Sequence, residues 1–303
     1  MKVVPPVEVT PAKLISNNVP ETDYPEWEAG TYNQGDRRII EANHLIYEVL
    51  AETTTDSPTD GLLKPTPTWM VVSPTNRWKM FNKRAGKTWM IGTTTTNPES
   101  IDLTIRPGQR INSIGLVGVL ASSVQIKMIV DGEIVYDFTQ AMSSKAGGSW
   151  YRYYFGEFAT RDNVARFDLP PFNNADIQVI ASAPGGIAKI GMLVMGMSRD
   201  LGWARWGTSI GFDNYSSIKE DDFGNTTITP RGKRDSVDFD VATYTDQVST
   251  AKRVLGQLKD TAALYIGSED VDPTIIVGRF DRFQLILSNV AISEYSLEVR
   301  SLM

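Results

Sequence analysis

Cysteine is absent from the 303 residues, and histidine occurs once, at His44. The first absence removes disulfide scaffolds, thiolate zinc sites, iron–sulfur clusters and cysteine nucleophiles. The second removes multi-histidine metal centres and leaves any serine triad dependent on a single residue. No apolar run approaches the ~18 residues of a membrane-spanning helix, so no membrane insertion is expected. Met1–Pro6 lacks the apolar stretch of a secretory signal, and the product is expected to stay where it is made. A net charge of -6 offers no concentrated basic surface, so no nucleic-acid partner is expected. Lys83-Arg84, Arg231 and Lys233-Arg234 read as solvated faces.

Catalytic signatures are missing as well. Gly86-Lys87-Thr88 ends like a phosphate-binding loop, but Phe81 stands where that motif needs its first glycine. No Gly-x-Ser-x-Gly elbow occurs. The acidic runs Glu220-Asp221-Asp222 and Glu269-Asp270-Val271-Asp272 lack the residue order of a calcium loop and read as solvated turns. With 36 acidic residues, no spacing singles out a glycosidase pair. No catalytic residue, cofactor or metal site is assigned, and a binding or assembly role is expected in place of an enzyme.

What is present is an ordinary globular composition, 41% hydrophobic and 22% charged, in a chain long enough for several cores. Residues 1–23, rich in Pro, Val, Thr and Asn, show no periodicity and read either as a disordered arm or as one laid across a neighbouring chain. Residues 24–68 read as a small β module. In it Arg38–Ala51 fits two short strands turning at Asn43-His44, and Glu52–Pro67 reads as a loop. Residues 69–201 read as a β-sandwich or jelly roll. Ile101, Leu103 and Ile105 alternate, Ile114–Leu120 suits a strand buried on both faces, and Asp131-Gly132 is a hairpin signal. Pro184-Gly185-Gly186 is expected to separate two later strands. Residues 202–303 read as a C-terminal β domain crossed by one amphipathic helix at about 246–259. Thr245 or Asp246 is its candidate cap, and Val248, Ala251, Val254, Leu255 and Leu258 form one face. The fold class is all-β, with that one helix.

Two groups of aromatic residues are candidate sites. Trp27, Tyr32, Tyr47 and Trp69 occur in a fixed order with the turn Gly30-Thr31-Tyr32-Asn33-Gln34-Gly35-Asp36, and read either as sugar-stacking rings or as the module's core. Trp150, Tyr151, Tyr153, Tyr154 and Phe155 form an aromatic strand that serves either a subunit interface or a core buried on both faces.

The order Trp27, Tyr32, Gly35-Asp36, Tyr47, Pro58, Trp69 resembles small chitin-binding-type carbohydrate modules. Followed by Thr75-Asn76-Arg77-Trp78-Lys79-Met80-Phe81, it is similar to tail proteins of tailed bacteriophages, in which such a start precedes a galactose-binding-like β-sandwich. The likeness runs from about Trp27 to Leu120 and more loosely to the C-terminus. It implies a structural component of the distal tail, baseplate or tail tip, made in the bacterial cytoplasm and carried in the virion. The implied partners are copies of the chain in a ring, neighbouring tail proteins and a host-surface glycan. A carbohydrate-binding module of a non-viral surface protein is the alternative.

Overall fold

The computed structural model describes residues 1–81, 83–85, 88–90, 92–144, 151, 159–220, 223, 225–269, 271–286 and 290–302. Strand dominates, and among the described residues the named strands all pair antiparallel, with one parallel bridge at Glu26 and Ile39. The all-β, sandwich-like expectation is met.

The sandwich packs a five-stranded sheet on a three-stranded one. The first runs Glu133–Ala141, Ser123–Val130, Asp176–Ile190, Thr95–Ile105, Leu14–Asn17. The second runs Val164–Arg166, Ser113–Val117, Met192–Gly196. Ile101, Leu103, Ile105, Val124, Ile126 and Met128 alternate inward from the first and meet Ile114, Leu116, Leu193 and Met195 of the second. Asp131 and Gly132 both take positive φ, as the expected two-residue hairpin turn requires. Pro184-Gly185-Gly186 does not separate strands. The chain runs through it as a bulge in one strand, Asp176–Ile190, opposite a register break at Pro98/Ser100, and the Glu99 carboxylate accepts the Gly185 N–H.

The three-stranded sheet is buried on both faces, which is why Ile114–Val117 has no polar alternation. Its outer face, with Val117, Met192 and Val194, lies on Leu264, Ile266, Ile275 and Val277 of a third, eight-stranded sheet. The far face of that sheet carries Val237, Phe239, Tyr265, Leu297 and Val299 and is covered by the helix Val248–Gln257 through Ala251, Val254 and Leu255, with Leu258 just beyond. The molecule is thus layered as sheet, sheet, sheet, helix. The helix matches the expected segment, but among the described residues no side chain caps it. A 3-10 turn, Thr245–Gln247, leads into it, and the Thr245 hydroxyl meets that of Ser293 instead.

One expected boundary shifts. Trp69–Pro74 pairs with Leu45–Val49, which pairs with Arg37–Ile40, so the module extends to Pro74 and its seam with the sandwich falls at Thr75. The loop before Trp69 holds a short helix, Pro58–Leu63, capped by the Ser57 hydroxyl. Two stretches of residues 1–23 pair within this chain's own sheets. Lys2–Val4 lies between Arg199–Asp200 and Ala263–Ile266 in the eight-stranded sheet, and Leu14–Asn17 forms the edge of the five-stranded one. Alternation explains the first: Val3 and Val4 bury on opposite faces of the sheet, one toward the helix and one toward the sandwich.

Candidate functional site

The four rings of the module do not form an exposed platform. Trp69, Tyr47 and Tyr32 are 0%, 1% and 7% exposed and make up the module's core with Leu45 and Val49. Their polar tips are satisfied internally. Trp69 Nε1 donates to the Asp56 carbonyl at 3.1 Å, Tyr32 Oη to the Glu28 carbonyl at 2.7 Å, and Asn43 Nδ2 donates to Tyr47 Oη at 2.8 Å. Tyr32 meets Trp69 edge-on at 5.5 Å and is covered by the Arg38 guanidinium at 4.8 Å. Burial pushes the Tyr47 hydroxyl above its ordinary pKa. Trp27 is half-buried against the same cluster, with an indole N–H that has no hydrogen-bond partner among the described residues. The aromatic order that suggests sugar stacking is, for Tyr32, Tyr47 and Trp69, the order of a small core: a module this small has few other large side chains to bury.

The string Thr75–Phe81 is a joint. Glu21 lies buried under it, and its carboxylate accepts from Thr75 Oγ1 at 2.9 Å, Trp78 Nε1 at 3.1 Å and His44 Nδ1 at 3.0 Å. Arg77 Nη1 is ion-paired with it at 3.1 Å. Burial alone would push the Glu21 carboxyl up, but these donors outweigh it and hold the group below its ordinary range. The His44 ring stacks on Trp78 at 4.4 Å. Asn76 takes its N–H to Asp23 and exchanges two side-chain bonds with the backbone of Thr96, while Arg77 Nε reaches the Val19 carbonyl. Module, sandwich and N-terminal segment therefore meet on one carboxylate. The lone histidine is a packing group at a hairpin tip, as its positive φ and largely buried ring indicate.

The aromatic strand read at 150–155 lies outside the described residues except for Tyr151, which is exposed. Asp272 is the acid whose setting most resembles a catalytic one. It lines a cleft of about 500 Å³ between the sandwich and the eight-stranded sheet, and burial raises its pKa. Its oxygens, however, are taken up by the backbone N–H groups of Asn163 at 3.0 Å and Asp162 at 3.4 Å, so it ties two layers together. Among the described residues no group of three metal-capable side chains converges.

The conspicuous surface is one that the sequence did not single out. Ser209–Asn214 pairs with the start of Lys233–Tyr244, and Ser217–Glu220 with Thr226–Thr229, so the described residues between 209 and 238 form a two-stranded arm. Tyr215 N–H to the Gly232 carbonyl and Arg231 N–H to the Ser216 hydroxyl carry the pairing across the break between the two ladders. Ile210, Phe212, Tyr215, Ile218, Phe223 and Ile228 are all exposed along it, and Trp203, Trp206 and Tyr244 are exposed at its base. The available signal was the alternation of Ile210 and Phe212 and the Thr-rich run Thr226–Thr229. No protein-family model matches the chain, and no curated protein matches it either.

Proposed function

We propose that the protein is a structural, non-enzymatic component of a bacteriophage tail, at the distal tail, baseplate or tail tip. Copies of the chain pack into a symmetric ring carried in the virion and contact neighbouring tail proteins. The observation that carries the assembly part is the arm at 209–238. Soluble monomers rarely leave large apolar side chains clustered on one projecting element, and such clusters mark protein contacts. The tail assignment itself rests on the resemblance of Trp27–Leu120. Contact with a host glycan, which that resemblance implies, would fall to exposed rings, because Tyr32, Tyr47 and Trp69 have no open face.

Light scattering over a concentration series, with negative-stain microscopy of the same sample, tests the ring. A discrete oligomer with a closed outline is expected. Its mass should fall when Ser217–Thr229 is replaced by an Asn-Gly turn that shortens the arm. A monomer at every concentration, or open filaments, overturns the ring.

A further inference from the structure

Building on the assembly reading, we infer that the contact between copies is head-to-tail: the arm tip of one copy, at Ile218 and Ile228, seats in a cleft at the arm base of the next, between Trp203 and Trp206.

The two halves lie on one chain but cannot meet within it. The cleft has a volume of about 490 Å³ and is lined by Trp203, Arg205, Trp206, Ile210 and Val271. Its rings are held on a stiff frame. Trp203 is in register with Ala242 and stands edge-on to Tyr244 at 4.7 Å. Trp206 projects from a four-residue turn in which the Thr208 N–H reaches the Arg205 carbonyl and the Arg205 N–H is fixed on the Asp240 carbonyl. Gly207, at φ 141°, permits that turn. At the other end Ile218 and Ile228 are directly opposite each other across the ladder and both exposed, so they form one apolar knob. Ile218 at the tip lies eight residues beyond Ile210 in the cleft, in two ladders joined by the Tyr215 and Arg231 bonds, about 25 Å at strand rise. The ladder pairs keep that length extended, so a tip reaches only another copy's cleft.

Charge selects the same partner. Glu220 lies two residues from Ile218 and therefore on the knob's face. Arg205 stands at the cleft and is paired with Glu294 at 2.5 Å, with both side chains about half exposed. An exposed pair of that kind is worth little, so Arg205 exchanges Glu294 for an incoming Glu220 at small cost. Each copy offers one tip and one cleft, which is the heterologous geometry that generates a ring where the rotation closes and a filament where it does not.

Complementation between two variants tests this. Ile218→Asp spoils the tip and keeps the cleft, whereas Trp206→Ala does the reverse. Both side chains are exposed, so folding is retained, which circular dichroism checks. Each variant alone is expected to associate on the order of tenfold more weakly or less tightly still, and their equimolar mixture to form a dimer and nothing larger. A mixture that stays monomeric, or single variants that keep the wild-type mass, overturns the head-to-tail contact. In the second case assembly itself stands and the interface lies elsewhere. A wild-type chain that is monomeric throughout removes the assembly reading along with this contact.

Discussion

Glu21 holds a carboxylate where burial makes one costly, and the surrounding donors make it an anchor. Trp78, Thr75, His44 and Arg77 all converge on it, and four bonds to one group cannot be lost independently. Glu21→Gln keeps the shape but loses the charge-assisted share of those bonds, a cost of about 1–2 kcal/mol. The sign of the pH effect follows from the direction of the shift. A carboxyl held below its ordinary range when folded stabilises the fold above ~pH 4 and loses that contribution as pH falls through its folded value. Denaturant midpoints measured from neutral to acid pH should therefore fall more steeply for the wild type than for Glu21→Gln. Parallel profiles would refute the anchor. The string Thr75–Phe81 stood out in the sequence, yet nothing in it named Glu21 as its partner, because the two are brought together only by tertiary packing across more than fifty positions. The module rings failed for a related reason. Spacing locates Tyr32, Tyr47 and Trp69 on their strands, but whether a face points to a core or to water depends on what Leu45, Val49 and Arg38 do around them.

At the scale of elements, the strands whose local signals agree with their tertiary setting were legible. The hairpin at Asn43-His44 is one, and the helix face Ala251, Val254, Leu255 and Leu258 is another. Pro184-Gly185-Gly186 was not, since the same residues make either a turn or a wide bulge, and only the strand opposite decides between them. Ser113–Val117 shows what the layered packing asks of a single strand. Its Gly115 faces the eight-stranded sheet, and a Cβ built there would come within 2.3 Å of the Leu264 side chain. The glycine is a spacing device that lets two sheets close on each other. Gly115→Val should overpack that interface and cost about 1–3 kcal/mol, read as a lower denaturant midpoint with the slope unchanged. If the variant is as stable as the wild type, the two sheets are not in the close contact described.

For the whole molecule the question is what makes three packed units one folding unit. The first 23 residues supply much of the answer: Lys2–Val4 completes the eight-stranded sheet, Leu14–Asn17 extends the sandwich, and Glu21 and Asp23 fasten the joint with the module. A chain start that binds all three cores couples their unfolding, because none can open without releasing a strand or an anchor held by another. It also gives the arm at 209–238 a fixed base, since the Met1 ammonium bonds to the Gly202 carbonyl beside Trp203 and its side chain buries in the same core as Val237 and Phe239. The wild type should therefore unfold in one transition, with far-ultraviolet circular dichroism and tryptophan fluorescence coinciding. Deleting residues 1–6 removes Val3 and Val4 from opposite faces of one sheet, at roughly 1.5–3 kcal/mol for each buried side chain. It also leaves Arg199–Asp200 and Ala263–Ile266 without the strand between them. The C-terminal sheet is then expected to melt ahead of the sandwich and module, splitting the transition in two. A truncated chain that still melts once, at the wild-type temperature, would show that the layers are held by their apolar faces alone and that the opening strand only decorates the sheet.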